Sequence, residues 1–143
     1  MIDTDIHSAE CACGQLSIKL MGDPERIPIC GCSYCRKRTG AVYGTGAYFN
    51  VSRVESIQGV SRIFRRGSDS GRYIEGNFCP DCGTTLYWKA ELWPDLIAVA
   101  VGCFEDYAVP KADVAVYTDQ IQEWAGFDES IASYPGARPR PPE

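Results

Sequence analysis

At 143 residues the chain is long enough for one ordinary domain, and its 45% hydrophobic and 23% charged content is that of a soluble globular protein. No apolar run approaches the roughly 20 residues that span a bilayer, so no membrane helix is expected. A net charge of −5 and a pI near 4.9 repel a phosphate backbone. Nucleic acid is therefore not an expected partner; patches at Arg36, Lys37 and Arg38 or at Arg65 and Arg66 read as solvated surface.

In chain order, "MIDTDIHSAECACG" opens on acids and polar residues, without a basic n-region or an apolar stretch, and so reads as no signal peptide. The expected location is cytoplasmic and reducing. His7, the one histidine, falls in what reads as a frayed N-terminus. "GQLSIKL" alternates Leu16, Ile18 and Leu20 against Gln15, Ser17 and Lys19, the two-residue period of a half-buried strand, and Cys11 and Cys13 are expected to enter that sheet. "DPERIP" breaks the pattern, and "RKRTG" then predicts a short helical turn carrying Cys35 and capped by Gly40.

From Val42 to Val101 the segments "GAYFNV", "SRIFRR", "RYIEGNFC", "TTLYWKA" and "LIAVAVG" read as short strands of a compact, mainly antiparallel β domain with few short helices. "TDQIQEW" can open a short helix with Thr118 as N-cap. Residues 1–134 are expected to form a single domain, and residues 135–143 a proline-rich flexible tail.

The eight cysteines carry the chemistry. In a reducing compartment such clusters bind metal or do redox work more often than they form disulfides. Residues two apart on a strand share a face, so Cys11 and Cys13 can offer both thiolates to one ion. In "CPDCG", Pro80 fixes φ and Gly83 tolerates a left-handed backbone behind the second thiol, which makes Cys79 and Cys82 a metal-binding knuckle. Zinc takes four ligands tetrahedrally, so Cys11, Cys13, Cys79 and Cys82 make a closed structural site. Paired disulfides, or a redox-active Cys79 and Cys82, are the rival readings, the second weakened by the lack of a βαβ pattern.

Cys30, Cys32 and Cys35 then form a second, catalytic zinc site whose three protein ligands leave one position for water or substrate. The alternative is that Cys103 closes this shell and makes it structural too. A single histidine leaves little room for a Ser-His-Asp or Cys-His device. Acid–base work falls instead to the metal, a carboxylate, a tyrosine or a thiol, and a thiol bound to zinc becomes a thiolate, a nucleophile toward a small carbonyl compound.

In order and spacing, "CACGQLSIKL", "CGCSYCRKRTG", "FCPDCGTTLYW", "VGCFED" and "EWAGF" resemble the glutathione-dependent formaldehyde-activating enzyme family, which includes centromere protein V, over roughly residues 8–127. The resemblance implies a β-tent fold, shared with R-type methionine sulfoxide reductases, and carbon–sulfur lyase activity on a small thiol such as glutathione and a small aldehyde such as formaldehyde. It also implies a structural zinc on Cys11, Cys13, Cys79 and Cys82 and a catalytic zinc on Cys30, Cys32 and Cys35, two per chain. Many members carry His or Asn where this chain has Gly31, and the chain is compact beside the glutathione-specific members. Arg36, Lys37, Arg38, Arg65, Arg66 and Arg72 can pair with the carboxylates of glutathione. The rival readings are a zinc-stabilised binding module without chemistry and a β-tent reductase using Cys103.

Overall fold

The computed structural model describes residues 5–67, 71–106 and 109–139. Their elements are β1 (Ile6–Glu10), β2 (Ser17–Met21), β3 (Pro28–Cys30), α1 (Ser33–Thr39), β4 (Gly44–Asn50), β5 (Val54–Gln58), β6 (Arg62–Gly67), β7 (Tyr73–Phe78), β8 (Thr85–Ala90), β9 (Leu96–Ala100), β10 (Val114–Val116) and β11 (Ala132–Ser133). Short 3-10 turns lie at Val51–Arg53, Val101–Cys103 and Thr118–Gln120. The expected mainly β architecture is thus found, with a single α-helix among the described residues. None of the described helices is long and apolar enough to cross a membrane.

The chain forms two compact units, residues 1–26 with 47–110 and residues 27–46 with 111–143. In the first, β1, β2 and β5 make a three-stranded antiparallel sheet, and β9, β8, β7 and β6 pair antiparallel in that order. The alternation read from β2 holds: Ile18 and Leu20 are buried and Lys19 is exposed. They join Leu16, Phe49, Leu86 and Val99 in the core, where each such side chain contributes about 1.5–3 kcal/mol.

β1 was not legible, because its inward positions are His7 and Ala9 rather than large apolar residues. The expectation of a frayed His7 is corrected here. It is 2% exposed, paired in β1 with Leu20 of β2, and its Nδ1 lies 3.1 Å from Asp106 Oδ2.

In the second unit β3 pairs parallel with β10 and antiparallel with β4, and β10 pairs parallel with β11. Ile29, Ala115 and Ile131 form its core, with Tyr43, Ala112, Ile121 and Phe127 packed against them. The helix expected from Thr118 is only a 3-10 turn. Tyr117 before it is left-handed at φ 52°, and the Thr118 hydroxyl donates to Tyr134 O instead of capping. The tail begins tethered, since Tyr117 N donates to Gly136 O; residues 140–143 lie outside the described residues.

Candidate metal centres

Cys11 and Cys13 do not extend a strand. β1 ends at Glu10, and the two cysteines occupy a tight turn in which Cys11 N donates to Leu16 O and Gly14 N to Cys11 O. Gly14 takes φ 82°, so the chain reverses between β1 and β2 within the space of the motif. The thiols still converge, because a turn gathers residues two apart as well as a strand face does. "CPDCG" repeats the device behind β7: Cys79 N donates to Thr84 O, Gly83 N to Cys79 O, and Gly83 takes φ 79°, as its sequence predicts.

The two knuckles interlock. Ala12 N donates to Thr84 Oγ1 at 3.1 Å, and the Gln15 amide donates to Cys79 Sγ at 3.1 Å and to Val60 O at 2.6 Å. Cys11, Cys13, Cys79 and Cys82 bring their sulfurs within 4.8 Å of one another. The Cys11–Cys13 and Cys13–Cys79 sulfur separations are both 3.7 Å. A tetrahedron with Zn–S of ~2.3 Å has an edge of ~3.8 Å, so the spacing fits that ion.

Cys11 and Cys79 are buried and Cys13 and Cys82 exposed. The Thr84 hydroxyl and backbone N–H hold the Cys82 thiol down at about 5, favouring the thiolate a metal requires. Gln15 and Thr84 were not singled out from the sequence. The mark they leave there is only that each sits two residues past the outer thiol of its knuckle.

The second group is local. Cys30 ends β3, paired across to Gly44 and Val116; Cys32 is the N-cap of α1, its sulfur accepting from Cys35 N; and Cys35 lies in the first turn. Gly40 caps the helix at φ 66°, as expected. The three sulfurs fall within 4.8 Å of one another, all half-buried, and among the described residues no fourth Cys, His, Asp or Glu joins them. Shared hydrogen bonds with the Cys32 and Cys35 thiols, together with burial, push the Cys30 thiol far up. Three sulfurs this close cannot all ionise unless a cation compensates them, so the donor set fits a thiophilic metal.

Cys103 lies in the first unit, packed against Trp88, Ala98 and Ala100, and belongs to neither group. Among the arginines considered for a carboxylate, Arg65 already binds Glu75 and lies 4.1 Å over the Tyr73 ring, and Arg36 is turned inward onto Gly31 O at 2.9 Å.

Gly31, between the first two thiols, is buried, and the reason is steric. A Cβ there would stand 2.4 Å from both Tyr117 O and Ile121 Cγ1. The main-chain oxygen cannot swing away as a side chain would. Gly31→Ala is expected to cost about 1–3 kcal/mol and lower the melting temperature by roughly 3–10 °C. Gly126→Ala, where a Cβ meets nothing within 4 Å, should leave it unchanged in the same thermal scan. Equal melting of the two variants would contradict the packing argument.

The chain is mainly β and cysteine-rich, with two groups of thiols that could each hold a metal ion. The profile of the glutathione-dependent formaldehyde-activating enzymes matches residues 6–120, and the chain belongs to that family. It is also similar in fold to a crystal structure of a Rhodobacter sphaeroides protein, with a TM-score of 0.54 and 22% identity over 69% of this chain and 88% of that one.

Proposed function

We propose that the protein is a zinc-dependent carbon–sulfur lyase that adds a thiol such as glutathione to a small aldehyde such as formaldehyde, or runs the reverse. The observation that carries the reading is the three-sulfur group of Cys30, Cys32 and Cys35, gathered without a fourth protein donor among the described residues in a chain of this family. In this reading Cys11, Cys13, Cys79 and Cys82 hold a structural zinc and the three-thiol group a catalytic one. Zinc, when bound, supplies Lewis acidity and favours a thiolate over a thiol.

The chain's own part would be to hold the Cys30, Cys32 and Cys35 sulfurs together, with no fourth protein donor beside them among the described residues. In the addition one S–C bond forms, the carbonyl π pair moves to oxygen, and the proton lost by the thiol is matched by one gained at that oxygen. Cys35 and Cys32 are fixed for this by the start of α1, and Cys30 by the β3–β10 and β3–β4 ladders.

The test uses anaerobically purified chain with its zinc counted. Formaldehyde labelled with carbon-13 is mixed with glutathione, and exchange between free aldehyde and thiol adduct is followed by NMR with and without protein. The expected result is two zinc ions per chain and exchange well above the spontaneous rate. Exchange at the spontaneous rate with every thiol tried, on protein carrying both ions, would sink the lyase reading and favour a binding module.

A further inference from the structure

We propose that Arg36 is a positioning residue of the three-thiol centre, holding the Gly31 peptide so that Cys30 and Cys32 meet one ion at a fixed bite. The inference rests on reading that centre as a metal site and goes beyond it by naming what sets its geometry.

Gly31 is held through both of its flanking peptide groups. Its N–H donates to Val116 O at 3.0 Å, and its carbonyl accepts from Arg36 Nε at 2.9 Å. Arg36 Nη2 reaches Gln120 Oε1 at 3.4 Å, so one guanidinium fastens the thiol loop to the 3-10 turn at Thr118–Gln120. Ile121 and Tyr117 O fill the space where a side chain would stand.

The grip has a chemical consequence. Gly31 joins two thiol-bearing residues, and its φ and ψ, the angles between the peptide plane that carries its N–H and the one that carries its carbonyl, set how the Cα–Cβ bonds of Cys30 and Cys32 diverge. Glycine is the residue freest to rotate, so a loop built on it gains most from external hydrogen bonds. Ordering the loop before metal arrives removes an entropy cost from binding. Arg36 is suited to this because its planar fork engages two acceptors at once, which a lysine ammonium on a single stem does less well. Its backbone N–H also donates to Cys32 O, so the anchor is part of the helix that carries Cys35.

The experiment compares Arg36→Ala, Arg36→Lys and Gln120→Ala with the wild-type full chain. Each is titrated with cobalt(II) for its absorption bands, titrated with zinc against a chelator for two affinities, and melted. Wild type should bind two ions. Arg36→Ala should bind the second about 10–100-fold more weakly with displaced cobalt bands, while the four-thiol affinity stays unchanged. Arg36→Lys and Gln120→Ala should lose less.

A second-site affinity and cobalt spectrum in Arg36→Ala equal to wild type overturns the proposal even if melting falls, because a merely structural role would move stability alone. If Arg36→Ala fails to fold, the other two variants decide: a selective second-site loss supports the proposal, and wild-type affinity in both overturns it. A wild type that binds one ion removes the reading of the centre itself, an outcome distinct from the failure of Arg36 alone.

Discussion

Cys79→Ser is expected to abolish cooperative melting of the residue 1–26 and 47–110 unit, or to lower its midpoint by more than about 15 °C, with one zinc lost per chain. The size follows from position. Cys79 is fully buried, its sulfur accepts from the Gln15 amide and Asp81 N, and its main chain closes the knuckle through Thr84 O and Gly83 N. A four-thiolate zinc contributes about 10–16 kcal/mol in small peptides, whereas a whole domain is stable by about 5–15 kcal/mol. Losing a ligand therefore removes an amount comparable with the entire stability. Circular dichroism melting beside elemental analysis checks it. A variant that melts within a few degrees of wild type while missing one ion would show that this centre does not hold the fold.

Cys32→Ser should behave in the opposite way. The substitution keeps the start of α1, because Cys32 caps the helix by accepting from Cys35 N at 3.5 Å, and a serine hydroxyl is a better N-cap acceptor. What it removes is one of the three thiols proposed to hold the second metal ion. The expected result is one zinc lost, melting of the first unit unchanged, and aldehyde–thiol exchange lowered by several orders of magnitude to the spontaneous rate. Cys32→Ala, which loses the cap as well, should melt less stably by about 1 kcal/mol. If Cys32→Ser melts as badly as Cys79→Ser, the second centre is structural too, and the three-thiol group no longer supports the lyase reading.

How far each part was legible depended on whether its cause is local. The helical turn that carries Cys35, its Gly40 cap and the left-handed Gly83 come from residues close together in the chain, and the sequence predicts them. His7 was misread because burial of a polar side chain is decided by Asp106, 99 residues away, which no pattern near His7 reveals. Cys11 and Cys13 were placed on a strand because C-x-C spacing serves strand and turn equally, and the deciding Cys11 N to Leu16 O bond is a property of the folded knuckle. Thr118 has the chemistry of a helix cap, yet the acceptor offered by Tyr134 won.

The sequence by itself determined the donors. Seven cysteines at spacings of one and two residues, with glycine and proline where the backbone must turn, commit the chain to three local thiol clusters, because such short spacings restrict where the sulfurs can go. Only the tertiary structure decided how those groups are held. Gly31 reads in sequence as a side chain missing from the motif. In the fold its space belongs to Tyr117 O and Ile121, and its carbonyl to Arg36. Gln15 and Thr84 serve the first centre across more than 60 residues of chain. Spacing within each cluster is covalent and local, whereas the meeting of Cys11 and Cys13 with Cys79 and Cys82, and the hydrogen bonds and excluded volume that orient the sulfurs, exist only once distant segments have packed.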